Sequence, residues 1–112
     1  MAKPQKIVIP LYNHNIFVYY SVDDFPGQFP DGVQACVWEA DSNTGTSTTM
    51  CFKNFTVNNV AHESYHAICD MMKHIGIPVN YENQEAVAYA LGYLVEEIIL
   101  GQEKWAKSKN AK

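Results

Sequence analysis

The chain has no arginine. All eight basic residues are lysines, and twelve acidic residues bring the formal net charge to −4. The planar fork that grips phosphate or guanine is therefore missing. Lys107, Lys109 and Lys112 crowd the last few residues, so the body is more acidic still, and nucleic acid is not an expected partner. Cysteine is scarce: Cys36, Cys51 and Cys69 form no C-x-x-C pair, and an odd count closes no disulfide framework. They read as small core hydrophobes in a reducing cytoplasm. No apolar run approaches the ~18–20 residues a membrane span needs. No amino-terminal stretch joins a basic start to an apolar run and a small-residue cleavage site. The expected location is cytoplasmic. Glycines are isolated, so neither a phosphate-cradling loop nor a dinucleotide fingerprint is present, and there is no nucleophile elbow.

What is present fits one folded domain. The chain has 112 residues, 47% hydrophobic and 18% charged, enough for a single core. Residues 1–105 are expected to form that domain and 106–112 a disordered basic tail. Lys6 to Tyr12 and Ile16 to Val22 are rich in β-branched and aromatic residues, with the turn chemistry of Asn13-His14-Asn15 between them. Pro10 points to an edge position or a bulge. Asp23 to Gly32 holds two prolines and two glycines and reads as a loop. Val33 to Ala40 and Thr48 to Phe55 form a second hairpin around the polar turn Asp41 to Ser47.

The apolar period then changes from two to about 3.6. Val57, Val60, Ala61, Tyr65, Ile68, Cys69, Met72 and Ile75 share one broad helix side. Thr56, Asn58 or Asn59 is the candidate cap, and Gly76 and Pro78 mark the end. A second helix starts near Asn83 or Gln84 and runs to about Leu100 or Trp105. The expected fold is α+β: a small antiparallel sheet of about four strands, then two packed helices.

The stretch that carries chemistry is His62-Glu63-Ser64-Tyr65-His66. Residues four apart on a helix point the same way, so two imidazoles at that spacing can converge on one Zn²⁺. Glu63, rotated about 100° from His62, can instead reach a metal-bound water as its base. The competing reading is an ordinary helix with two hydrogen-bonded histidines at the core edge. A catalytic zinc site also wants a third protein ligand and an open position. Glu85, in the first turn of the second helix, is the preferred candidate because it sits on a regular element; Glu82, just before it, competes. Without a metal, Glu85 is simply a first-turn acid favoured by the helix dipole. Tyr89, one turn after Glu85, is a candidate oxyanion donor, with His74 and Tyr81 behind it. Asp70 could support a histidine, although a solvated face is its other reading, and Cys69 is a possible sulfur ligand as well as a core residue.

His62 to His66, the Gly76-to-Pro78 linker and Glu85 to Tyr93 together resemble the core of gluzincin-type zinc metallopeptidases, in particular compact minigluzincins and zincin-like proteins of phages and bacteria. The likeness covers Thr48 to about Ile98. It implies a zincin-like fold, His62, His66 and Glu85 as Zn²⁺ ligands, and Glu63 as general base and acid. It also implies that the strand Thr48 to Phe52 is the sheet edge that receives an extended peptide substrate. Two expectations follow: a zinc-dependent metallopeptidase, or a non-catalytic zincin-like module with a structural or vestigial metal site.

Overall fold

A computed structural model describes residues 3–39 and 47–110. The order is four strands and two helices: β1 (Gln5–Ile9), β2 (His14–Tyr19), β3 (Ala35–Trp38), β4 (Ser47–Phe52), α1 (Val57–Ile75) and α2 (Gln84–Asn110). The α+β class read from the sequence is the observed one. The polar turn expected between the strands of the second hairpin falls almost entirely on residues 40–46, outside the described ones.

The sheet order is β1-β2-β4-β3, and the sheet is mixed rather than wholly antiparallel. β1–β2 and β3–β4 pair antiparallel, as their hairpin sequences require. The chain then carries β3 past β2 to the far edge and folds β4 back between them. This makes β2 and β4 parallel neighbours, with Asn15 opposite Ser47 and Tyr19 opposite Cys51. The consequence corrects one expectation. Thr48 to Phe52 is not an edge: its main-chain groups pair with β2 on one side and β3 on the other. The free edge on that side is β3.

Side chains alternate across each strand. Ile16, Val18, Met50 and Phe52 face the helices and are fully buried, and with Ala67, Ile68, Met71, Met72, Ala90, Leu94 and Ile98 they make one core. α1 crosses β3 and β4, and α2 packs along α1 and against β1. The outer sheet face is covered where the loop after β2 folds back, stacking Phe25 on Trp38 with ring centroids 4.5 Å apart.

Local chemistry fixes the helix ends. Thr56 Oγ1 accepts from Asn59 N at 3.1 Å and caps α1. Gly76 stops it with φ 79°, in the left-handed region that favours glycine. Asn80 Oδ1 accepts from Asn83 N at 3.1 Å, capping a single 3₁₀ turn, Tyr81–Asn83, that leads into α2. α2 outruns its expected end: residues 106–110 continue the helix instead of forming an irregular tail. The lysines there suit a helix C-terminus, where the partial negative charge favours cations. Lys109 Nζ also lies 5.2 Å from the Trp105 ring centroid.

Candidate metal centre

α1 carries the His62–His66 stretch near its middle. Its buried residues, Val60, Ser64, Ala67, Ile68, Asp70, Met71 and Met72, define the side that meets the sheet and α2. At 100° per residue, His62 and His66 fall on the opposite, exposed side. Their Nε2 atoms lie 3.3 Å apart and their rings are edge-on, with centroids separated by 4.8 Å. Two nitrogens bound tetrahedrally at 2.0–2.1 Å would be separated by about 3.3–3.4 Å. The pair is thus spaced as two ligands of one small ion.

Glu63 sits at the border between the histidines and the sheet. Its side chain is only 14% exposed against 63% for His62, and its Oε2 is 3.7 Å from His62 Nε2. It lines an open cleft of about 340 Å³ between α1 and the edge strand β3, with Ala35, Cys36, Val37, His66, Cys69, Asp70 and Lys73 around it. One carboxylate therefore faces both the histidine pair and the groove along an unpaired strand edge.

The other expected site residues lie elsewhere. Glu85 is in the first turn of α2, as anticipated. It is exposed and shares its face with Tyr89, Gly92 and Glu96, away from Val87, Ala90, Leu94 and Ile98, which enter the core. Among the described residues no three His, Cys, Asp or Glu side chains are gathered closely enough to hold a metal, so Glu85 is not brought together with His62 and His66. Glu82 and Tyr81 are exposed in the 3₁₀ turn. Tyr89 is 55% exposed on the same side as Glu85. Cys69 is half-buried in the cleft.

The sequence did not reveal a buried polar chain behind the cleft. Asp70 is 6% exposed, not solvated, and His14 and Thr48 are almost fully buried. Thr48 Oγ1 donates to Asp70 Oδ2 at 2.7 Å, and it lies 2.8 Å from His14 Nε2. Because the hydroxyl has one proton, directed at the carboxylate, His14 must donate to the hydroxyl oxygen; its proton is on Nε2. His74 Nε2 is 3.4 Å from Asp70 Oδ1, and the His14 and His74 rings are stacked with centroids 6.4 Å apart. Burial lowers the His14 pKa, with the negative Asp70 opposing that shift and His74 adding to it. A sequence signal existed. His14 is in phase with Ile16, Val18 and Tyr20, all pointing inward, although its flanking asparagines give it the look of a turn residue.

No described helix is long and apolar enough to cross a membrane. Comparison with protein-family models, curated proteins and solved structures gives no match.

Proposed function

We propose that this chain is a zinc-dependent peptide hydrolase whose metal is held by His62 and His66. The observation that carries the reading is the 3.3 Å separation of the two Nε2 atoms, which fits adjacent positions around a tetrahedral ion. The donor types fit too: two neutral imidazoles with a carboxylate alongside are common zinc chemistry. Glu85, with Glu82 as the competitor, is the proposed source of a third ligand. Because neither is gathered with His62 and His66 among the described residues, this role requires the start of α2 to move toward them when the ion binds.

A bound Zn²⁺ would supply Lewis acidity and acidify a water molecule. With the ion bound, Glu63 would be placed to hold a proton of the attacking water and pass it to the leaving amine. Substrate is held along β3. The outward main-chain N–H and C=O groups of Ala35–Trp38 can add one extended peptide strand, with alternate side chains entering the cleft toward Glu63.

The second reading, a non-catalytic zincin-like module, draws support from the exposed face that Glu85 occupies on α2. Glu63→Gln separates the two. In the hydrolase it keeps the metal and abolishes turnover of a peptide library. In the module the wild type and the variant bind zinc alike, and neither cleaves.

A further inference from the structure

The β3–β4 ladder sets Cys36 directly opposite Cys51, so both side chains project from the same sheet face. One position before β3, Lys53 N donates to Gln34 O at 2.9 Å. Antiparallel pairs alternate between hydrogen-bonded and non-bonded, so Cys36 and Cys51, two residues further on, are again a hydrogen-bonded pair. Such pairs have Cα atoms about 5.5 Å apart, inside the roughly 4.4–6.8 Å that disulfides span. Their Cβ atoms, also about 5.5 Å apart, must draw in toward the usual ~3.5–4.5 Å, which leaves the bond strained and readily reduced. Neither thiol has a strong partner to give up. Cys51 Sγ donates to Ser21 O at 3.6 Å and Cys36 Sγ to Val37 O at 3.9 Å.

We propose that Cys36 and Cys51 are a redox modification site that closes a cross-strand disulfide by exchange with a low-molecular-weight disulfide such as glutathione disulfide. Cys36, half-buried on the edge strand β3, reacts first. Its thiolate attacks one sulfur of the small disulfide, that S–S bond breaks, and the released thiolate takes up a proton. The buried Cys51 then loses its proton and attacks the Cys36 sulfur, expelling the second small thiol. The protein dithiol is oxidised by two electrons, and the small disulfide is reduced to two thiols.

Burial pushes both thiols up, Cys51 to about 11, with each cysteine's neighbours adding: Glu63 acts on Cys36, and Cys36 on Cys51. Exchange is therefore slow at neutral pH and quickens about tenfold per pH unit as the thiolate fraction grows. The product ties the free edge β3 to β4. Cys69, on α1, has no cysteine opposite it and is left free.

The test is to incubate the full chain with glutathione disulfide at pH 8 and map peptides without reduction. The expected result is that free thiols fall from three to one. One cross-linked peptide pair should contain Cys36 and Cys51, lighter by two hydrogens. Strain at this pair offsets part of the loop-closure gain, so the melting temperature should rise by less than the roughly 10 °C of an unstrained bridge, reversed by dithiothreitol. Cys69→Ser should behave like the wild type, whereas Cys51→Ser should stop at a mixed disulfide on Cys36. Links through Cys69, mixed disulfides alone in the wild type, or three surviving thiols while the urea-unfolded chain oxidises would each overturn the proposal. These readouts count thiols and mass, so they stand or fall independently of the metal reading.

Discussion

Replacing Thr48 by valine keeps the shape of the side chain and removes its hydroxyl. In this fold that hydroxyl is the middle of a buried chain, accepting from His14 Nε2 at 2.8 Å and donating to Asp70 Oδ2 at 2.7 Å. Neither neighbour can turn to solvent, since His14 is 1% and Asp70 6% exposed. A hydrogen bond to a charged group contributes about 1.5–3 kcal/mol, and a stranded buried donor costs about 1–3 kcal/mol. Adjacent losses of this kind are not additive, so a total of about 3 kcal/mol is expected. For a chain this size that lowers the melting temperature by roughly 10 °C. Urea unfolding should show a lower midpoint with an unchanged slope, because the surface exposed on unfolding is the same. Thr48→Ser, which keeps the hydroxyl and drops only a methyl group, should cost about 1 kcal/mol. A Thr48→Val protein within about 0.5 kcal/mol of the wild type would refute the claim that this network is buried and mutually satisfied.

The same network sets a pH dependence. The folded-state pKa of His14 is depressed, so the unfolded chain binds a proton that the folded one refuses. Stability from this group is full above the unfolded value near 6.5 and falls as pH drops below it, by at most about 1.4 kcal/mol per pH unit. Urea titrations between pH 7.5 and 5 should show this slope in the wild type and its loss in His14→Gln; an unchanged slope in the variant would assign the effect elsewhere. Glu63→Gln should retain zinc and lower peptide turnover by about 10²–10⁴-fold, and equal turnover in variant and wild type would remove Glu63 as the base. Leu94→Ala, at a fully buried core position, should cost about 2–5 kcal/mol in urea unfolding. Gly76→Ala forces a side chain into the left-handed region at φ 79° and should cost about 1–2 kcal/mol by the same assay.

The helices were legible because their signals are local. The 3.6-residue apolar period, the Thr56 cap and the Gly76 stop all lie within a few residues of what they control. The strand segments were legible too, from β-branched runs and turn residues. Strand order was not. The insertion of β4 between β2 and β3 is a long-range pairing choice, and an alternating pattern at Thr48–Phe52 suits an edge as well as a centre. This is why the groove moves from β4 to β3. At the site, the convergence of His62 and His66 follows from helix geometry alone. The position of Glu85 depends on how α2 is rotated about its own axis, which its core residues decide: with Val87, Ala90, Leu94 and Ile98 inward, Glu85 and Tyr89 face out. Asp70 and His74 were hidden for a different reason. Both look like surface residues on α1 until β2 brings His14, and β4 brings Thr48, beneath them.

The central claim is that His62 and His66 are a metal site, and zinc stoichiometry by elemental analysis, on untagged protein purified without chelators, tests it most directly. The account predicts about one zinc per chain, lost in His62→Ala and in His66→Ala while both variants stay folded. Protein that is metal-free and refuses added zinc, or that keeps its zinc in both variants, would contradict it.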